Sequence, residues 1–218
     1  MPGLTGPSWG PKEKNQPARQ LVVLCHGVGA DGHDLIDLAP HWAAALPHAV
    51  FVAPDAPEVY DTAGFGRQWF SLGDRSPARM AAGVANAAEA LNGFIDAELA
   101  RLSLPTGAYA LMGFSQGAMT ALYTGLRRPA PPRGILAFSG ALIGADELAG
   151  LTARPPILLV HGEDDAVVPV ARTRQAEVGL QTAGYDVEAL YCPNLAHGID
   201  EAGLSAGSLF LQRVFADP

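Results

Sequence analysis

Six short apolar runs constrain this chain more than any other feature. They are LVVLC (21–25), AVFVA (49–53), AYALMGF (108–114), GILAFS (134–139), PILLVH (156–161) and VEALY (187–191). None alternates strictly with polar residues, so each reads as a strand covered on both faces, the habit of parallel sheets. Helical patterns separate them. GHDLIDLAPHWAAAL follows the first run. Residues 76–102 carry Met80, Val84, Ala87, Leu91, Ile95 and Leu102 near one face, with Ser76 as N-cap and Pro77 at the first helical position. Further helices are expected near 116–127, 170–183 and 202–216. This alternation predicts an α/β fold: a mostly parallel sheet of about six to seven strands with helices on both faces. Residues 1–20 read as a tail or edge strand and 21–218 as one domain, a size that suits 218 residues at 49% hydrophobic content.

Charge and composition exclude several functions. The net charge is −8, which disfavours a basic face for nucleic acid or anionic lipid. The only lysines are Lys12 and Lys14, so a Walker A lysine and a core Schiff-base lysine are both absent. The first twenty residues lack a signal-peptide apolar region, no run has the length of a membrane span, and Pro2 removes the myristoylation signal. A cytoplasmic chain without a stable membrane anchor is the expectation.

Two glycine-rich turns carry chemistry. Gly27, Gly29 and Gly32 spell G-x-G-x-x-G after the first apolar run, a pattern that can cradle a pyrophosphate, with Asp55 as a candidate ribose ligand. The same loop opens with His26-Gly27-x-Gly29, a turn that can offer a backbone N–H to an oxyanion. The second turn is Gly113-x-Ser115-x-Gly117, placed between a strong strand and a helix. That is the setting of a nucleophile elbow, in which a strained serine projects above the sheet and the Gln116 N–H opens the helix as an anion donor. The bland alternative for Ser115 is a helix N-cap.

A serine nucleophile needs a base, and in elbow folds the chain order is serine, acid, histidine. Of the six histidines only His161 and His197 follow Ser115. His161 ends a buried strand before the acidic cluster and comes too early. His197 lies in a loop past residue 191, at the carboxyl end of the sheet with Ser115. The acid should come from HGEDDAVVP, where spacing leaves Glu163, Asp164 and Asp165 open. A long connection, residues 54–76, carries Tyr60, Phe65, Trp69 and Phe70, aromatics that can wall an apolar pocket or cover the core edge.

The set LCHGVGADGHDL, PDAP, QWF, GFSQGAM, HGEDDAVVP and HGI, spread from about residue 21 to residue 215, resembles the phospholipase/carboxylesterase family of α/β-hydrolases, which includes bacterial carboxylesterases and acyl-protein thioesterases. The resemblance implies an α/β-hydrolase fold, and the short segment between Ser139 and Pro156, where larger relatives place a cap domain, implies that no large one is present. The resemblance also implies Ser115 as nucleophile, His197 as base and, from H-G-x-x-D-x-V-V-P, Asp165 as acid. The Val28 and Gln116 N–H groups would form the oxyanion hole. Trp69 and Phe70, with Phe65 on the same loop, would border the acyl site. No cofactor and no metal are implied. One departure is Ser71, where the family commonly has Asp after Trp-Phe. Another is the lack of the N-terminal lipidated cysteine of mammalian thioesterases, which disfavours membrane-tethered deacylation. The implied strand order sets Cys25 and Cys192 about 19 Å apart, beyond the ~7 Å limit for a disulfide, so both are expected as free thiols.

The expected activity is serine carboxylesterase action on a small-molecule acyl ester of short to medium chain length. Lysophospholipase or acyl(-protein) thioesterase activity is the alternative within the class. A hydrolase-like binding protein and a dinucleotide-dependent oxidoreductase are remote readings. The first is disfavoured by the complete Ser, Asp, His set, the second by the missing redox machinery. Apolar surface around an open groove is compatible with a homodimer, and nothing in the pattern requires one.

Overall fold

The apolar runs form strands and the segments between them form helices in the computed structural model, which describes residues 3–11 and 16–216. Lys12 and Lys14 lie outside the described residues, as does Pro2. In chain order the elements are β1 (Ser8–Trp9), β2 (Gln20–Cys25), α1 (Gly32–Ile36), α2 (Ala39–Ala43), β3 (Ala49–Val52), β4 (Glu58–Val59), β5 (Arg67–Gln68), α3 (Pro77–Arg101), β6 (Tyr109–Phe114), α4 (Gln116–Arg127), β7 (Ile135–Phe138), β8 (Ile157–Gly162), α5 (Ala171–Thr182), β9 (Val187–Cys192) and α6 (Glu201–Ala216). Between β7 and β8 the chain makes only a 3₁₀ turn, Ala145–Gly150, so no cap domain is inserted there.

Seven strands form one sheet in the order β1-β3-β2-β6-β7-β8-β9, and β4 pairs with β5 as a separate antiparallel hairpin. Among the described residues, β1 alone runs antiparallel, and every other pairing in the large sheet is parallel. This is an α/β-hydrolase sheet, and it explains why the runs do not alternate. Leu21, Val23, Leu111, Ala137 and Leu159 point to the face that carries Leu91 of α3, Ala121 of α4 and Leu180 of α5. Val22, Leu24, Met112, Phe138 and Val160 point to the face that carries Trp42 of α2 and Phe210 of α6. Each of these strand residues therefore faces a helix on one side of the sheet or the other.

The chain passes from β2 outward to β3 and then returns to β6 on the opposite side of β2. Strand order reverses at that point, and the carboxyl ends of β2 and β6 open onto a common crevice. The parallel register pairs Cys25 with Gly113, so the turns that follow the two strands start side by side.

Three local expectations change. The helix expected after β2 is broken into α1 and α2, because Pro40 has no N–H to donate to Ile36 and its ring crowds that carbonyl. Ser76 has N-cap backbone angles, but its hydroxyl makes no capping bond; instead the Asp74 carboxylate accepts the Ser76 N–H at 2.9 Å. The 54–76 connection contains the β4–β5 hairpin, whose two-residue strands are too short to show a periodicity.

Both cysteines are free and buried, four strand positions apart in the sheet. Burial pushes the Cys192 thiol up to about 11 and the Cys25 thiol higher still. A thiol titration with a disulfide reagent at pH 8 is expected to find almost no reaction in the native protein and two thiols per chain after unfolding without reductant. Fewer than two thiols in the unfolded protein would contradict this arrangement.

Candidate active site

Ser115 sits at the N-terminus of α4 with φ 55° and ψ −118°, a conformation non-glycine residues avoid. The fold holds it there from both sides. Its N–H donates to the Phe138 carbonyl at 2.9 Å, and its carbonyl accepts from Ala118 at 3.0 Å and Met119 at 3.2 Å. The flanking glycines are required by close approach. A Cβ on Gly113 would lie 2.3 Å from the Gly117 carbonyl oxygen, and one on Gly117 would lie 1.9 Å from that of Cys25. The Ser115 hydroxyl makes no capping bond, so the strained turn does not serve to cap the helix.

The three acids after β8 have different surroundings. Glu163 is exposed and pairs with Arg174 at 2.8 Å, and Asp164 is exposed. Asp165 is buried, with its side chain fully covered. Its Oδ1 accepts the Val167 and Val168 N–H groups, each at 2.8 Å, and its Oδ2 lies 2.6 Å from His197 Nδ1. Burial pushes the Asp165 carboxyl up, but the hydrogen bonds from His197, Val168 and Val167 outweigh it, and the net shift is downward. Asp165 is thus held ionised, and a proton on His197 Nδ1 faces it, which leaves the Nε2 lone pair available. The backbone fixes this meeting: the Glu163 N–H donates to the Cys192 carbonyl at 2.9 Å and the Asp164 N–H to that of Leu195 at 3.0 Å. The His197 ring packs on Phe114, the residue before Ser115, with centroids 4.8 Å apart.

The loop after β2 lies against the elbow, and a Cβ on Gly27 would meet the Ser115 side chain at 3.5 Å. The β4–β5 hairpin clamps this loop. The Gly29 N–H donates to the Arg67 carbonyl at 2.7 Å, and the Arg67 N–H donates to that of Ala30 at 2.8 Å. Gly66 must be glycine, since its Cβ would lie 2.1 Å from the Gly29 carbonyl oxygen at a φ of 73°. The G-x-G-x-x-G pattern is accounted for by packing. Gly29 has φ 84°, and the Gly32 N–H donates to Asp55, the residue considered above as a ribose ligand, at 2.9 Å.

The aromatic residues depart from the expected border of the acyl site. Trp69 and Phe70 are each 1% exposed, and their rings fill the core rather than face a groove. Trp69 Nε1 donates to the His26 carbonyl at 2.9 Å. The Gln116 side-chain amide accepts the Trp69 N–H at 2.8 Å and donates to the Phe70 carbonyl at 2.7 Å. These residues fasten the 54–76 connection to the elbow. Phe65 is 75% exposed at the hairpin tip. Ser71 donates to Asp61 at 2.5 Å and accepts the Gly73 N–H at 3.1 Å, which closes the turn at that point. A cavity of about 700 Å³ opens instead on the α3 and α5 side of the elbow, lined in part by Met80, Met119, Leu142, Ile143, Val167 and Val168.

Two histidines escape a reading that looks only for a base. His26 is fully buried; its Nε2 accepts the Ala56 N–H at 3.0 Å and its Nδ1 lies 2.7 Å from the Gly27 carbonyl oxygen. The ring is therefore neutral with its proton on Nδ1, and burial lowers its pKa. His161 lies beside Asp165, with Nε2 at 3.1 Å from Oδ2. The signal for both was present, because two apolar runs end in His-Gly, at 26–27 and at 161–162.

The sequence matches the family described as Phospholipase/Carboxylesterase over residues 12–215. It is 30% identical to Esterase YpfH of Escherichia coli over 194 residues, 87% of this chain and 81% of that protein. It is 32% identical to Acyl-protein thioesterase 1 of Schizosaccharomyces pombe over 213 residues, 90% and 92% of the two chains. The structure superposes on that of esterase PE8 with a TM-score of 0.91 and 38% identity, covering 97% of this chain and 99% of the other.

Gln116→Ala is expected to orphan two buried backbone groups, Trp69 N–H and Phe70 C=O. Each costs on the order of 1–3 kcal/mol, to be read from the denaturant midpoint. A change within about 0.5 kcal/mol, typical of an uninvolved surface position, would contradict the clamp.

Proposed function

The chain belongs to the phospholipase/carboxylesterase family, and from that premise we propose that it is a serine carboxylesterase acting on short- to medium-chain acyl esters through a Ser115–His197–Asp165 triad. The observation that carries the proposal is the 2.6 Å contact between His197 Nδ1 and the buried, ionised Asp165 at the same end of the sheet as the strained Ser115. In the proposed reaction His197 Nε2 takes the Ser115 proton as Oγ bonds to the ester carbonyl carbon. Asp165 stabilises the imidazolium and holds the proton on Nδ1. The Val28 and Gln116 N–H groups receive the oxyanion. Among the described residues the Val28 N–H meets no acceptor, and Gln116 lies in the first turn of α4, where helix N–H groups lack intrahelical partners. The tetrahedral adduct expels the alcohol, which takes its proton from His197. Water then repeats the sequence and frees the acid.

The cavity beside the elbow supports an acyl site that Trp69 and Phe70 do not supply. Val167 and Val168 of its lining bond to the Asp165 carboxylate, and Met119 lies one helical turn from Ser115, its N–H bonded to the Ser115 main-chain carbonyl. The cavity's Met80, Met119, Leu142 and Ile143 side chains suit a hydrocarbon acyl chain, with Arg75, Asp146, Glu147 and Arg172 among the charged residues that also line it. A second reading, acyl thioester hydrolysis, is favoured by the match to an acyl-protein thioesterase over nine tenths of this chain. The same groups would expel a thiol in place of an alcohol.

Hydrolysis of p-nitrophenyl esters from acetate to palmitate, measured beside matched acyl thioesters, tests both readings. Wild type is expected to favour short and medium oxygen esters, and Ser115→Ala to lose at least about 10³-fold in kcat. A preference for long-chain thioesters would shift the assignment to the second reading. Turnover that survives Ser115→Ala would overturn the mechanism.

A further inference from the structure

We propose that His161 is a positioning residue for Asp165: a second buried imidazole that fixes the carboxylate and the turn around it, so that Oδ2 is presented to His197. The inference rests on the triad proposed above. His161 is 1% exposed at the end of β8. Its Nε2 lies 2.8 Å from the Val168 carbonyl oxygen and 3.1 Å from Asp165 Oδ2. Both neighbours are acceptors, so Nε2 carries a proton, and the positive end of that N–H lies beside the carboxylate. Val168 is then held at both ends, its N–H by Asp165 Oδ1 and its carbonyl by His161. His161 Nδ1, the acceptor nitrogen of that tautomer, is 2.6 Å from Thr173 Oγ1, whose single proton it accepts; Oγ1 also lies 3.1 Å from the Gly140 carbonyl oxygen. The carboxylate is thereby tied through Val168 and one imidazole to Thr173 of α5.

An acid fixed only by its own loop would not need this link. A carboxylate has about four lone-pair sites. In Asp165 two face backbone N–H groups, one faces His197, and His161 Nε2–H lies against the same oxygen as His197. His161 thus withdraws charge from the oxygen that stabilises the His197 imidazolium. The other charged groups nearby are Glu163 and Asp164 on the same loop, Arg172 and Arg174 on α5, and Asp200 beyond His197. Glu163 and Arg174 pair with each other, Asp200 bonds the Gly203 N–H, and none of the five bonds to Asp165 or His161. Ser115 and Met119 of the elbow are neutral.

The test follows the imidazole signals of His197 by NMR across pH, without substrate, in wild type, His161→Leu, His161→Gln and Thr173→Val. In His161→Leu, which removes an N–H that lies beside Oδ2 without bonding to it, His197 is expected to titrate at higher pH than in wild type by up to roughly 0.4 unit, less than one ordinary hydrogen bond is worth. Thr173→Val keeps the ring but loosens it, and is expected to shift His197 the same way by less. His161→Gln, whose amide can still donate, is expected to titrate with wild type. Ester turnover should fall in His161→Leu mainly in kcat and recover in His161→Gln. If His161→Leu does not fold, Thr173→Val carries the test. His197 titrating with wild type in every folded variant among His161→Leu and Thr173→Val would overturn the proposal, even if stability drops, because that is the signature of packing alone. The NMR readout does not need turnover, so an inactive wild type would defeat the esterase assignment and leave this inference to be decided by the titration.

Discussion

The pairing of β2 with β6 is the constraint on which the rest of the site depends. Their parallel register sets Cys25 opposite Gly113, and each strand then turns sharply, one into the His26 loop and the other into the elbow. The two turns are so close that the second residue of α4 must lack a Cβ: at Gly117 that atom would stand 1.9 Å from the Cys25 carbonyl oxygen. The strained Ser115 is a consequence of this approach. Its cost, of order 1–3 kcal/mol for such a conformation, is offset by the bonds that hold its N–H to β7 and its carbonyl to α4.

Around that pair the protein spends its buried polar groups on rigidity. Gln116 fastens the Trp69–Phe70 backbone to the elbow, Trp69 holds the His26 carbonyl, and His26 joins Gly27 to Ala56. The β4–β5 hairpin then closes over Gly29. A loop presenting an N–H to a transient charge gains most from being set before the reaction, since donors that need not reorganise stabilise charge best. The acid side repeats the device, with an imidazole at a strand end bonded to the next loop. The two His-Gly strand ends thus flank the serine, one on the strand next to β6 and the other two strands away on the opposite side.

Much of this was legible in the sequence, for physical reasons that vary by element. The large strands show as unbroken apolar runs because both faces of the sheet are covered. Ser115 stands out because an elbow needs glycines at fixed offsets, and His197 because few histidines follow it. Spacing could not choose among Glu163, Asp164 and Asp165. What separates them is burial and two backbone donors, which exist only once the turn has formed. Trp69 and Phe70 could not be told from pocket residues, because a loop aromatic gives no periodicity and its burial is set by distant partners such as Gln116. Pro40 did carry its message, a break between α1 and α2, but the apolar pattern on either side of it masks the break.

The central claim is that Ser115 is the nucleophile of an acyl-transfer site assembled by this fold. The most direct measurement is to treat the native protein with a fluorophosphonate, which reacts with activated serines, and to locate the adduct by peptide mass spectrometry. The account predicts one adduct per chain, on the peptide bearing Ser115, slowed in Asp165→Asn and absent in Ser115→Ala. An adduct on another residue, or labelling of Ser115→Ala at the wild-type rate, would contradict it.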